Sequence, residues 1–108
     1  MRRGALVTIA LPGAYGKPRP ALVVQSDLFS EHPSVTVLPV TSELRDAPLF
    51  RIRLEPDESN GLHAPSDVMV DKSQSVPRAK VGQVIGQVSD EQMLAISKCL
   101  AVFLGVVL

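Results

Sequence analysis

Residues 17–24 read Lys17-Pro18-Arg19-Pro20-Ala21-Leu22-Val23-Val24. Pro18 and Pro20 fix their own φ and push the residue before each toward extended geometry. Arg19 is thereby held extended at the mouth of a strand whose tail, Ala21 to Val24, is apolar enough to be buried. A long, permanently charged side chain on a stiff mount is well placed to meet an anion. On these eight residues alone, an ordinary surface arginine at a strand start is the simpler account.

Working outward, Ala5–Leu11 is a β-rich run that stops at Pro12-Gly13, and a short loop from Pro12 to Pro18 leads into the strand Pro20–Gln25. Ser26-Asp27 can cap a short helical turn through Glu31. Ser34–Val40 reads as a third strand, in which Pro39 argues for an edge, a bulge or a strand end. Leu49–Leu54 alternates, with Phe50, Ile52 and Leu54 on one face and Arg51 and Arg53 on the other. Glu55–Pro65 is loop-forming, Asp67–Asp71 is a short strand, and Lys80–Val88 is a longer one. Gly82 and Gly86 inside that strand signal a bend or a close backbone approach.

Ser89-Asp90-Glu91-Gln92 is a capping box that starts a helix. Met93, Ile96, Leu100 and Phe103 follow at helical spacing, widened by Leu94, Ala101 and Leu104, and Gly105 suits the stop. Sequential strands with short connections, then one helix, predict a mainly β fold: a curved antiparallel sheet or small barrel with a C-terminal helix, in one domain over residues 1–108.

The 108 residues carry a formal net charge of +0, with 45% hydrophobic and 20% charged residues, as in globular proteins. Aromatics make up 4% and Trp is lacking, which argues against stacking platforms of the RRM or OB kind. Charge is unevenly placed. Through Leu54, seven basic residues face four acidic ones, and from Glu55 onward four basic residues face seven acidic ones. The single cysteine, Cys99, excludes an internal disulfide and a cysteine metal cluster, and its place on the helix predicts a core residue. Met1-Arg2-Arg3-Gly4 lacks the apolar run of a signal peptide, and Leu100–Leu108 is too short to span a bilayer, so a cytoplasmic, non-membrane protein is expected.

Gly82-x-x-x-Gly86 sits in a strand pattern and is no phosphate loop. His32 and His63 lie in separate loops without metal-ligand spacing and read as solvated surface, outside the candidate site. Three polar spots stand out against apolar strands: Arg19, Thr41-Ser42 and Asp71-Lys72. Strand ends opening on one edge of a small barrel can converge. Arg19 would bring a planar donor fork to a phosphodiester, and Thr41 a hydroxyl. Together they suggest metal-free cleavage in which the 2′-hydroxyl of RNA is the nucleophile and Arg19 stabilises the added negative charge. From spacing alone, a cap, a turn hydroxyl and a surface ion pair remain the simpler reading.

The order of segments adds to this. Arg2-Arg3-Gly4 before a strand, Lys17 to Val24, Leu38-Pro39-Val40-Thr41-Ser42, Val68-Met69-Val70-Asp71-Lys72 and a closing helix together resemble the MazF/PemK (Kid) toxins of bacterial toxin–antitoxin pairs. The resemblance covers nearly the whole chain. It implies a strongly curved, SH3-like sheet with a helix, assembled as a homodimer. It also implies sequence-specific, metal-independent cleavage of single-stranded RNA to 2′,3′-cyclic phosphate and 5′-hydroxyl ends, with no cofactor. A cognate antitoxin would cover the site, and DNA would be met only through the antitoxin complex.

The family's catalytic Arg and Thr fall on Arg19 and Thr41, and the Asp of the PemK branch falls on Asp71. Lys17, Tyr15, Ser42 and Lys72 are the expected substrate contacts. Two departures stand out: Met69 replaces the Arg that precedes that Asp, and Ala14-Tyr15 occupies a short loop where longer-loop members carry an acidic residue. These departures leave open a degenerate member that binds RNA or antitoxin without cutting. A gyrase-binding toxin of the related CcdB kind is the alternative from another class, and the lack of Trp argues against it.

Overall fold

Alternation along the strands sorts the apolar residues onto two faces, and both are buried. The computed structural model describes residues 1–10 and 17–106. Within them, seven strands form one antiparallel sheet: β1 (Ala5–Ile9), β2 (Arg19–Val23), β3 (Ser34–Thr41), β4 (Arg51–Leu54), β5 (Ser66–Met69), β6 (Gln74–Pro77) and β7 (Val81–Gln87). The order is β4-β5-β3-β2-β1-β7, and β6 pairs with β3. Leu6, Leu22 and Leu38 face one another across β1, β2 and β3 and open a core that continues through Val40, Val68 and Leu54. The opposite parity gives a second core from Val7, Ile9, Ala21, Val23 and Val37, closed by Val76 of β6.

β3 organises the sheet. Its first half, Ser34–Val37, pairs with β6, and its end, Val40–Thr41, pairs with β5. This corrects the expectation for Pro39, which lies inside a central strand, opposite Ala21 of β2. On its other side the neighbour changes from β6 to β5 at Leu38-Pro39, so a missing N–H interrupts no ladder there. β6 had no sequence forecast, since a single buried residue, Val76, gives too little alternation to read. The strand expected over Asp67–Asp71 ends at Met69 and continues as a 3-10 turn, Val70–Lys72.

The helix α1 (Asp90–Leu104) starts and stops as its caps dictate. The Ser89 hydroxyl accepts from Gln92 N at 3.0 Å, Gln92 Oε1 accepts from Ser89 N at 2.9 Å, and Gly105 closes the end at φ 74°. Met93 and Ile96 enter the first core, with Cys99 and Leu100 at its margin. The expected stripe is wider and longer than the buried one: Leu94 lies beside the buried Met93–Ile96 face and is exposed, and Phe103 and Leu104 lie on the last turn, beyond the core.

Candidate active site

The ends of β2 and β3 open into a groove of about 630 Å³ lined by residues that include Arg19, Thr41, Ser42, Leu62, His63 and Met69. Ala21 faces Pro39 in the β2–β3 ladder. Continued by two residues, that register carries Arg19 to the level of Thr41. Pro18 and Pro20, on either side of Arg19, also line the groove. Arg19 is exposed and takes part in none of the ion pairs among the described residues. Thr41 Oγ1 accepts from Glu43 N at 3.1 Å, so it is a turn hydroxyl whose own proton is left to donate.

Behind Thr41 stands a buried carboxylate. Thr41 faces Asp67, and Asp67 faces Arg53, so the three form one row across β3, β5 and β4. The Asp67 side chain is 1% exposed. Its Oδ2 accepts from Arg45 N at 2.9 Å and from Arg51 at 3.3 Å, and its Oδ1 accepts from Arg53 Nε at 2.5 Å. Arg51 also donates to the Glu43 carbonyl at 2.9 Å. The carboxylate and Arg51 thus clamp the chain that leaves β3, residues 43 to 45, onto β5. Burial pushes the Asp67 carboxyl toward neutrality, but the hydrogen bonds from Arg53, Arg45 N–H and Arg51 outweigh it and hold the carboxyl below the usual range. Hydrogen bonding to Asp67 in turn raises Arg53. Two guanidinium groups thus meet one carboxylate behind Thr41, with Asp46 and Glu55 near Arg53 and Glu43 on the groove itself.

The facing wall is the loop between β4 and β5, held by a buried neutral side chain and by Asp57 Oδ1, which accepts from Ser59 N at 2.7 Å and Asn60 N at 2.8 Å. Asn60 is fully buried. Its Oδ1 accepts from Leu62 N at 3.0 Å and Asp57 N at 3.2 Å, and its Nδ2 donates to the Glu55 carbonyl at 2.8 Å. The next residue, Gly61, has φ +68°, and a Cβ there would collide with the Ile85 carbonyl of β7. Gly86 is likewise bare against Ser59 and Asn60, and Gln87 N donates to Ser59 O at 2.9 Å. This is the close approach that the β7 glycines forecast. The seat delivers Leu62, His63 and Ala64 to the groove.

A model of the PemK-like, MazF-like toxin of type II toxin–antitoxin systems matches residues 2–104. The chain belongs to that family. It is 46% identical over 107 residues to a probable endoribonuclease MazF of Mycolicibacterium smegmatis, covering 98% of each chain. Its fold matches that of the Mycobacterium tuberculosis toxin MazF-mt6 with a TM-score of 0.82 at 25% identity, over 96% of this chain and 99% of that one. A mycobacterial endoribonuclease solved in complex with its cognate antitoxin matches with a TM-score of 0.83 at 22% identity, over 100% and 98% of the two chains.

Against the family pattern, the groove brings together Arg19, Thr41 and Ser42, with Met69 where the PemK branch has Arg. It does not bring Asp71 or Lys72 to its lining. The 3-10 turn after Met69 carries them away, against α1, where Lys72 Nζ lies 4.0 Å from Asp71 Oδ2. Lys17 is exposed and outside the lining. Tyr15 and Ala14 lie outside the described residues. Cys99 donates its thiol to the Leu49 carbonyl at 3.3 Å, and burial raises its pKa, as suits a packing residue rather than a nucleophile.

Sequence reading passed over Asp67, Arg51, Arg53 and His63. An Arg-x-Arg strand opposite a strand that opens with Asp is the signal for the first three, but it needs the register to be read. For His63 the signal is Asn60-Gly61, which marks the loop as built rather than loose.

Proposed function

We propose that this chain is an endoribonuclease toxin that cuts single-stranded RNA at specific sequences in the groove between Arg19, Thr41 and the loop of His63. The observation that carries this reading is the meeting of a guanidinium and a hydroxyl in one groove. The RNA 2′-hydroxyl attacks the adjacent phosphorus, the bond to the 5′ oxygen breaks, and the products carry 2′,3′-cyclic phosphate and 5′-hydroxyl ends. The nucleophile comes from the substrate and the charge stabilisation from Arg19, so the reaction needs no metal. Arg19 holds the additional negative charge of the transition state, and Thr41 donates to a non-bridging oxygen. Ser42 lies beside the phosphate, and Lys17 attracts the RNA backbone from outside the groove.

Cleavage of messenger RNA would stop translation and growth, and a cognate antitoxin would release the block. Self-association as a homodimer belongs to the same reading. The exposed Leu94, Val102, Phe103 and Leu104 of α1 support contact with another protein chain. The test is Arg19→Ala. Loss of one transition-state donor lowers cleavage by about 10²–10³-fold, and growth arrest on expression disappears, while the melting curve is unchanged because Arg19 is exposed. A folded Arg19→Ala protein that cuts RNA at the wild-type rate overturns the assignment.

A further inference from the structure

The RNA-cleaving reading leaves one chemical role empty. A 2′-hydroxyl must lose its proton to attack, and neither residue assigned so far can take it. An Arg guanidinium does not deprotonate in proteins, and a Thr hydroxyl is no base near neutral pH. Among the described residues lining the groove, two side chains carry a group of the chemical type that serves as a general base, a carboxylate on Glu43 and an imidazole on His63.

We propose that His63 is the proton acceptor for this cleavage, and the proposal rests on the RNA-cleaving reading above. Two chemical arguments favour it over Glu43. An imidazole is matched to proton transfer near neutrality, whereas a carboxylate is a weaker base there. A neutral imidazole approaches a phosphodiester without repulsion, whereas a carboxylate repels it. The placement of His63 on the groove suits the role: it is exposed, yet it stands three residues from the buried Asn60 and two from Gly61, whose contacts with β7 fix the loop. A base held on a locked loop needs no ordering when substrate binds.

The step balances. The His63 imidazole takes the 2′-hydroxyl proton as the 2′ oxygen bonds to phosphorus. The bond from phosphorus to the 5′ oxygen breaks, and that oxygen takes a proton from water. The imidazolium then returns its proton to solvent. Among the described residues, the other charged groups on the groove are Arg19 from β2 and Glu43 after β3, while β5 and β7 present Ser66, Met69 and Ile85, none of which titrates.

The experiment compares purified wild-type, His63→Gln, His63→Asn and Glu43→Gln proteins on a single-stranded RNA, with kcat and KM measured from pH 5 to 9. The wild-type kcat rises with pH through the imidazole range and then levels. In both His63 variants kcat at the plateau falls by about 10²–10⁴-fold, the acid limb disappears, and KM changes little. Glu43→Gln keeps the limb. A second readout does not depend on turnover: an oligonucleotide with 2′-deoxyribose at the cut site binds without reacting and shifts the His63 ring signals in NMR spectra.

A His63→Gln protein with the wild-type rate or an intact acid limb overturns the proposal, as does loss of the limb in Glu43→Gln or His63 signals unmoved by the bound oligonucleotide. If the wild type cuts, Arg19→Ala does not and His63→Gln does, the proposal falls and the RNA-cleaving reading stands. If the wild type leaves RNA intact, both fall.

Discussion

The two walls of the groove are fixed by different means. The strand-end wall, from Thr41 to Arg45, is clamped by a buried carboxylate paired with two guanidinium groups. The loop wall, from Glu55 to Pro65, has no ion pair: the buried Asn60 amide holds it, with the Asp57 carboxylate accepting from Ser59 N and Asn60 N and with glycines that let two backbones touch. Both devices bury polar atoms and satisfy nearly all of them, so each specifies one loop geometry rather than many. They differ in what they respond to. The charged clamp at Asp67 depends on pH and on keeping every partner, whereas the Asn60 amide carries no charge to titrate.

The comparison can be broken from either side. Asp67→Ala has the largest expected effect. It leaves the Arg51 guanidinium, whose side chain is 7% exposed, without its acid. Breaking a buried pair in this way costs about 3–5 kcal/mol, readable as a lower midpoint in chemical denaturation, and the surviving folded protein cuts RNA more slowly because Thr41 and Glu43 lose their clamp. Asn60→Ala comes next. Several backbone groups, among them the Glu55 carbonyl and Leu62 N–H, lose their partner, at about 1–3 kcal/mol for each buried group left unmet. Its denaturation midpoint falls by a similar amount at pH 5 and pH 8.

The pH dependence sharpens the contrast. The Asp67 carboxyl is depressed in the folded state, so the unfolded chain binds the extra proton first as the pH falls. Its contribution to stability is complete above the ordinary aspartate value of about 3.9 and is lost as pH drops through the depressed folded value. Acid titration of stability is therefore expected to be shallower in Asp67→Asn than in the wild type and unchanged in slope in Asn60→Ala. Ser89→Ala gives the smallest effect, about 1 kcal/mol from the lost helix cap. It touches neither wall, so RNA cleavage at 25 °C is expected to stay at the wild-type rate.

Legibility in the sequence follows the same divide. Local rules reach what local chemistry decides: the capping box at Ser89, the Gly105 stop, the apolar runs of β1, β2 and β3, and the close approach at Gly86. The meeting of Arg19 and Thr41 was legible through the order of the motifs, since each sits at the end of a strand that sequence reading found. What pairing decides was not legible. Asp67 becomes a clamp only because the register sets it between Thr41 and Arg53. Pro39 misled because its cost depends on which strand lies across from it. Asp71 was expected at the groove as a strand-end acid that matches the Asp of the PemK branch, but the strand stops at Met69, the chain turns at Val70, and Asp71 is not among the lining residues. The loop around His63 read as ordinary surface because a buried Asn and an exposed one have the same letter.

The most direct test of the central claim is the chemistry of the cut ends. Purified protein is incubated with single-stranded RNA in EDTA, and the product termini are identified by mass and by susceptibility to 5′ phosphorylation. The account predicts discrete fragments with 2′,3′-cyclic phosphate and 5′-hydroxyl ends, formed at the same rate with and without the chelator. Intact RNA, or fragments bearing 5′-phosphate ends, would contradict it.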